Sequence, residues 1–436
     1  MRVSLLIQIQ VMFGAGLVGA VHAQNYEAYF LNNRQNYPDS ETNWSDNAQG
    51  VAHDQANWFI ATTSTIWKIP VGHDLRTVSA SSSGVVMRPL SFYLDLVNLG
   101  YNHLGDPVVF QFHASNNEIE DYLLVPIEDS EGIQPGAIMF LRCTDLTLVN
   151  WIALPNQCDA QGQFCNDAGW CAVDSIGRIY ASRQHATSII CYEFSWEDLH
   201  ANLPINISMH SELSLKKENG SELTLVTAQG GEFAPGDKFL YLVSGFYNDS
   251  NSLADQEGIH VVKLDSTAQP PVWRRVAHST RGYGHFDYYY NPGFETYEEP
   301  EGLTIWDLDG GQAPGIRGQL HVMVLDNDTL PSPLPPVEAD DIDFKHYTNI
   351  IRVVANGSCA YAACCTPLAP AGCPTPFNES CEFGVAECPF RTIGSALDLA
   401  WEGAEIRIGA ATYTETMIIS TPVRLTAEGG AVRIGG

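Results

Sequence analysis

Between Tyr26 and Val354 one layout recurs: a glycine, a short apolar strand, a polar turn, a strand ending in small hydroxyl residues, and then more strand. The stretch GVAHDQANWFIATTSTIWKIPV from Gly50 has it, and GWCAVDSIGRIYASRQHATSIICYEF from Gly169 repeats it with its turn at Asp174 to Gly177. A third copy is GEFAPGDKFLYLVSGFYN from Gly231, continued by GIHVVKLD from Gly258. A fourth is GLTIWDLDGG from Gly302, with GQLHVMVLDND and NIIRVV. A poorer fifth is GDPVVFQF from Gly105, with DYLLVPIED and GAIMFLRC. No long helical periodicity interrupts them, and β-branched and aromatic runs bounded by Gly, Pro, Asp and Asn mark an all-β chain. Units of roughly fifty to seventy residues with three or four strands each predict a β-propeller of five or six blades. A β-sandwich is the competing all-β reading, but the glycine-led strand recurs and no Cys...Trp...Cys immunoglobulin spacing is present. A ring must close, and EAYFL, Glu27 to Leu31, is the expected partner for the last blade. The acidic, Pro-rich PSPLPPVEADDID, Pro331 to Asp343, is expected as a loop excursion within that blade.

The predicted organisation is a signal peptide at 1–23, a propeller at 24–355, a cysteine-rich linker at 356–388 and a small module at 389–436. Residues 1–23 combine Arg2, an apolar run from Val11 to Ala20 and the small-x-small triplet Val21-His22-Ala23, a secretory pattern too short for a membrane span. No other stretch is apolar enough to span a bilayer. Six cysteines, Cys359, Cys364, Cys365, Cys373, Cys381 and Cys388, crowd one Pro/Gly-rich segment and predict a disulfide knot, its connectivity open, in a secreted or cell-surface protein. Zinc is the rival, disfavoured by the lack of a clean CxxC pair or a nearby His. The other five, Cys143, Cys158, Cys165, Cys171 and Cys191, are expected to form at most two bridges and leave one buried thiol. Seven Asn-x-Ser/Thr sequons, at Asn43, Asn206, Asn219, Asn248, Asn327, Asn356 and Asn378, mark candidate surface loops for glycosylation.

In the last module, Thr392 to Trp401 sets Ile393, Ala396, Leu397 and Ala400 on one stripe of a short helix, with Gly403 as its stop. Short strands follow around Ile406 and Ile408, Ile418, Val423 and Leu425, and Val432 and Ile434. Arg407, Arg424 and Arg433 take the alternate, solvated positions. The run PFRTIGSALDLAWEGAEIRIGAATYTETMIISTPVRLTAEGG resembles the N-terminal cap and first coil of right-handed parallel β-helices of the pectin-lyase-like class. That resemblance implies a helix covering one open end of the coil, with Ala411 to Glu415 as the turn into the next strand. It carries no lyase activity with it, because those active sites lie on a groove built from many coils. A single coil leaves an apolar end and a backbone edge to be covered. The expected outcomes are docking on the propeller, pairing with another chain (self-association), or truncation of a longer array.

The formal charge of −29 arises from a shortage of Lys and Arg, since charged residues are only 17% of the chain. Residues 389–436 hold five acids and four bases, and residues 24–388 carry essentially the whole excess. Such a surface repels nucleic acid and anionic membranes and attracts divalent cations. Solubility in a salty medium is the plainer explanation.

No GxSxG, GxxxxGK[ST], HExxH or Rossmann motif is present. The chemistry is richest in GYGHFDYYYNPGFETYEEPEGLTIWDLDGG, Gly282 to Gly311. It holds seven carboxylates without a Lys or Arg, and seven aromatics from Tyr283 to Tyr297. Carboxylates beside aromatic faces suit a sugar, stacked on Tyr and hydrogen-bonded by acids, or a hard cation such as Ca2+. Tyr283, Tyr288, Tyr290, Tyr297 and Glu298 are the candidate ligand contacts, and Glu301, Asp307 and Asp309 the candidate metal ligands. An acidic surface loop over packed aromatics is the bland alternative. PEGLTIWD is similar to the first strand of six-bladed calcium propellers of the gluconolactonase-like and phytase-like families. There a Glu before the strand glycine binds the metal, which implies that role for Glu301. The corresponding positions Gln49, Leu104, Ala168 and Gly230 are not acidic, and Glu232 lies one past its glycine.

His53, His103 and His285, each near a carboxylate in sequence (Asp54, Asp106 and Asp287), are candidate acid-base residues if they meet at a channel mouth. Singly, each fits a structural hydrogen-bonding role. The leading expectation is a secreted recognition protein whose propeller binds an extracellular glycan or cell-surface protein, with Ca2+ as candidate cofactor. The alternative is a secreted calcium-dependent hydrolase of a phosphoester, lactone or glycosidic bond.

Overall fold

The computed structural model describes residues 29–30, 44–155, 168–245, 256–280, 286–287, 297–327, 341–347, 350–353, 390–400 and 404–435, apart from positions 46, 184, 309 and 421. Residues 1–23 and the six cysteines from Cys359 to Cys388 fall outside this set, as do five of the sequons' asparagines or their side chains; Asn206 and Asn219 are exposed.

The described residues form a five-bladed propeller. Blade 1 comprises the strands Ala48–His53, Asn57–Thr62, Thr65–Pro70 and Val86–Pro89, and blade 2 His103–Leu104 with Val108–His113, Ile119–Glu128, Ala137–Arg142 and Leu148–Ala153. Blade 3 comprises Ala172–Val173, Ile179–Ala181, Ser188–Glu193 and Ser208–Lys216, and blade 4 Ala228–Phe233, Leu240–Ser244, Gly258–Asp265 and Val272–Thr280. Blade 5 is built from Tyr297–Ile305, Leu320–Asn327 and Asp341–Tyr347, and its outer strand is the N-terminal Tyr29–Phe30. Tyr29 lies opposite His346 and Phe30 opposite Lys345, the ring closure expected of EAYFL.

Each sheet is covered on both faces by its neighbours, so its middle strands are apolar on both sides. Leu123–Val125 and Ala137–Leu141 are buried without a break. The resulting cores are five hydrophobic clusters, one at each junction between blades. That between blades 5 and 1 is aromatic, with the Trp58 ring edge-on to Trp306 and Phe344.

The inner strands meet at the axis, where the recurring glycines permit a close approach. A Cβ on Gly50 would lie 2.3 Å from the Asp106 Cα, and one on Gly302 would lie 2.6 Å from the Gly50 Cα. Asp106 fastens the ring. Its Oδ1 accepts from Val51 N of blade 1 at 2.8 Å, and its Oδ2 accepts from Gly231 N of blade 4 at 3.1 Å and Leu303 N of blade 5 at 3.4 Å. Its own N–H donates to Gly169 O, just ahead of blade 3, at 2.8 Å. One buried residue of blade 2 thereby reaches the other four blades.

Several expectations need correction. NIIRVV does not complete the last blade: Asp341–Tyr347, which begins inside the presumed loop excursion, takes that place. Ile350–Val353 instead leaves the propeller and pairs in parallel with Glu405–Gly409, so the last blade ends before residue 355. The apolar run Ile350–Val353 reads as the more obvious blade strand, whereas Asp341–Tyr347, DIDFKHY, carries two Asp, a Lys and a His and begins in an acidic, Pro-rich stretch. Cys143, Cys171 and Cys191 are all free and buried, rather than one leftover thiol. They lie in three different blade-junction clusters, which keeps them from bridging one another. Ile418 is not in a strand and is 89% exposed.

The C-terminal segment docks on the propeller. Helix Ile393–Leu399 begins at Thr392, whose hydroxyl accepts from Ser395 N, and the Glu415 carboxylate accepts from Ile393 N and Gly394 N, each at 2.9 Å. At its other end Lys238 of blade 4 donates to the carbonyls of Leu397 and Ala400. The Ile393, Ala396, Leu397 and Ala400 stripe joins the core between blades 4 and 5. Beyond the helix, Glu405–Gly409 pairs in parallel with Arg424–Glu428, and Thr412–Tyr413 in parallel with Arg433–Ile434.

Candidate functional site

Asp106 divides the axis into two ends. Inner-strand residues before its plane face the front, and those after it face the back.

At the back, side chains satisfy backbone. The inner edge of blade 5 has no strand beside it on the axis, so its polar groups need partners. Glu232 Oε2 accepts from Ile305 N at 3.1 Å and from the Thr304 hydroxyl at 2.7 Å, while His53 Nε2 sits 2.9 Å from Ile305 O. The His53 ring stacks on Trp306 with centroids 4.5 Å apart. Its Nδ1 meets another carbonyl, Asp54 O, at 2.9 Å, so a neutral ring donates to only one of the two. Burial lowers the His53 pKa despite these carbonyls, and burial raises Glu232 to about 7 against its two donors.

The front differs. The inner strands of blades 1, 4 and 5 carry the same irregularity, an extra residue at Gln49, Gln229 and Glu301, each just before a glycine. Such a bulge re-aims its side chain. Gln49 Nε2 donates to Glu301 Oε1 at 3.4 Å, and Gln49 Oε1 accepts from His103 Nε2 at 2.5 Å. Gln229 Nε2 donates to Glu299 Oε1 at 2.9 Å. Among the described residues, neither Glu299 nor Glu301 accepts from a backbone N–H. Both are buried, 5% and 3% exposed. Burial raises Glu299 to about 8. Burial first, and then the nearby carboxylates Glu299, Glu128 and Asp106, push Glu301 well above the usual carboxylate range. Both shifts favour the protonated form of these carboxyls, and the charge of Glu299 further disfavours that of Glu301. The corresponding position ahead of Gly169 is the small, buried Ala168.

The predicted site residues therefore separate. His103 joins Glu301 at the front through Gln49, whereas His53 serves the back, so the two histidines do not converge. His285, Tyr283, Tyr288, Tyr290 and Asp309 lie outside the described residues. Tyr297 and Glu298 open the inner strand of blade 5, opposite Asn327 and Asp326. Asp307 is exposed at the back, its carboxylate accepting from Gln319, six residues and roughly 20 Å along the chain from Glu301. Glu301 and Asp307 thus cannot share one ion. Among the described residues no three His, Cys, Asp or Glu side chains are placed to hold a metal. Asp106, paired above with His103, turns its carboxylate to backbone N–H groups instead. Gln49, Gln229 and Glu299 were missed. The signal for the glutamines was the repeated tripeptide Ala-Gln-Gly at 48–50 and 228–230, which makes Gly230, not Gly231, the counterpart of Gly50 and Gly302.

No protein-family model matches the sequence, and no curated protein matches it. Similar solved structures include the catalytic domain of a Coprinopsis cinerea GH62 α-L-arabinofuranosidase, at 10% identity, covering 75% of this chain and 98% of that one, with a TM-score of 0.40. A luciferin-regenerating enzyme aligns at 11% identity over 74% of this chain and 95% of its own, TM-score 0.36. The periplasmic gluconolactonase of Pseudomonas aeruginosa aligns at 11% identity over 69% and 88%, TM-score 0.34. At such distances none of them bears on what this chain does. Among the described residues no helix is long and apolar enough to cross a membrane.

Proposed function

We propose that the front mouth binds the hydroxyl groups of an extracellular glycan. The observation that carries this reading is the buried pair Glu299 and Glu301, whose hydrogen bonds go to the Gln229 and Gln49 amides and, among the described residues, to no backbone N–H, with His103 joined to the set through Gln49. Amide and carboxyl groups of this kind exchange donors and acceptors with sugar hydroxyls without needing a charged ligand. A protonated Glu299–Glu301 pair also donates, which removes the penalty that two buried anions would impose. In this reading residues 1–23 direct export, and the tyrosines between Tyr283 and Tyr297 supply faces for the sugar ring. The reading does not call on Glu301 and Asp307 as a shared cation site, because the two stand at opposite ends of the axis. The test is a glycan array followed by titration of each hit with the native chain and Glu301→Gln. Binding by the native chain that weakens about tenfold or more in the variant supports the reading; a blank array overturns it.

A second reading rests on the same burial, which raises both carboxyls and favours their protonated form. That is the state required of a general acid in the hydrolysis of a glycosidic bond. Release of reducing ends from a bound glycan, abolished in Glu301→Gln, would convert the binding site into an active site. Binding without turnover leaves recognition as the function.

A further inference from the structure

The docked C-terminal segment buries one side of its small parallel sheet and leaves the other open. Ile406 and Ile408 face inward and are buried, as is Tyr413. Their register partners on the outermost strands are Leu425, Ala427 and Ile434, so these belong to the same interior row. Yet Leu425 is 37% exposed and Ile434 43%. Among the described residues, no strand pairs with the outer edge of Arg424–Glu428 or of Arg433–Ile434. An edge of this kind is a template for another strand.

The backbone fixes which groups are on offer. Arg424 N donates inward to Ala404 O, and Glu428 O accepts inward from Ala410 N. Since N–H and C=O of one residue point to the same side of a strand, residues 424, 426 and 428 are used inward. Leu425 and Ala427 present theirs outward. An antiparallel copy centred on Thr426 sets Leu425 opposite Ala427 twice, as two hydrogen-bonded pairs that take up every outward N–H and C=O of those residues. The same register sets Arg424 opposite Glu428 of the second copy, again twice. A parallel pairing in register would set Arg on Arg and Glu on Glu.

We propose that the Arg424–Glu428 strand is a two-fold self-association edge, on which a second copy of this chain pairs antiparallel about Thr426 and covers Leu425. The partner is another copy because the sequence Arg-Leu-Thr-Ala-Glu is complementary to its own reverse, as an isologous contact requires. The charge distribution favours the same place. Residues 389–436 are nearly neutral, with five acids to four bases, while the rest of a chain of charge −29 repels its copy.

Sedimentation equilibrium of the full chain from about 1 to 100 µM tests this, a range that spans ordinary dimer affinities. The native chain is expected to be a dimer. Ala427→Pro removes one outward N–H and leaves the inward ladder intact, so it should be a folded monomer. Arg424→Glu should weaken the dimer roughly tenfold, by turning two attractive pairs into repulsive ones. Adding Glu428→Arg to it should restore native affinity, which a misfolded edge would not do. A native chain that stays monomeric throughout overturns the proposal. So does a dimer unaffected by Ala427→Pro, or a double variant no tighter than Arg424→Glu.

Discussion

The two ends of the propeller axis contain the same kinds of residue and use them differently. At the back and centre, Glu232, His53 and Asp106 bond to main-chain groups that the absent neighbouring strand would otherwise have satisfied. At the front, Glu299 and Glu301 are as deeply buried and as strongly shifted, but they bond only to the amides of Gln229 and Gln49. Burial and an elevated pKa therefore do not by themselves distinguish a functional carboxyl from a structural one. What separates them is where their oxygens are committed. A side chain that completes the backbone ladder cannot be lent to a ligand without opening the fold, whereas one held by another side chain can exchange partners.

The largest effect expected from this contrast is at the centre. Asp106→Ala leaves the N–H groups of Val51, Gly231 and Leu303 without their acceptor in a buried site. Each orphaned group costs about 1–3 kcal/mol, and the total, on the order of 5 kcal/mol, approaches the whole stability of many domains. Urea unfolding followed by tryptophan fluorescence should show either a large drop in midpoint or no cooperative transition. A midpoint within about 1 kcal/mol of the native protein would mean that Asp106 does not fasten the ring.

An intermediate effect is expected at the front, and it has the opposite sign. Glu299 is held at about 8 in the folded chain, against about 4.3 when unfolded. Between those values the native state keeps a proton that the unfolded state has lost. Stability from this group is present below about pH 4.3, falls as pH rises through the window, and levels off above about 8. Glu299→Gln preserves the acceptor for Gln229 and removes the titration, so it should stabilise the protein by a few kcal/mol at pH 8 and by little at pH 4. Glu232, raised to about 7, loses its share of stability by pH 7. The interval from pH 7 to 8 therefore isolates the front, and a melting temperature in Glu299→Gln that falls with pH there as steeply as in the native chain would break the distinction.

The propeller was legible because its glycines answer to a steric rule. Five inner strands converging on one axis have no room for a Cβ at Gly50 or Gly302, so the requirement surfaces as a repeated letter. Short β-branched and aromatic runs bounded by turn residues then located each blade. Asp106 was not legible as the fastener, since nothing local to GDPVVFQF reports that three distant N–H groups lack acceptors. The front site was half legible. Glu301 stood out because it is charged, but Gln49 and Gln229 are uncharged and a search for a carboxylate ring passes over them. Their signature is the backbone bulge, which the repeated Ala-Gln-Gly encodes only once the pairing register is known. NIIRVV was expected in the place of Asp341–Tyr347 for a related reason: the more apolar run reads as the blade strand, while the polar DIDFKHY is set there by its tertiary pairing with Leu320–Asn327.

The smallest effect on stability should accompany a large effect on binding, and it tests the contrast most directly. Gln49→Ala removes the side-chain bonds to Glu301 and His103 and leaves the main chain of blade 1 in its ladder with Asn57–Thr62. Its cost in unfolding free energy should be about 1 kcal/mol. Glycan affinity, if the front mouth is the site, should fall about tenfold or more, because His103 and Glu301 lose the amide that orients both. Glu232→Gln supplies the converse: it keeps an acceptor for Ile305 N and Thr304 and lies beyond the Asp106 plane, so affinity should be unchanged while the midpoint near pH 7 rises. Isothermal titration of both variants beside their urea midpoints separates the two ends. If Gln49→Ala lost stability and kept affinity, the front amides would be one more set of structural bonds, and the glycan site would have to be sought off the axis.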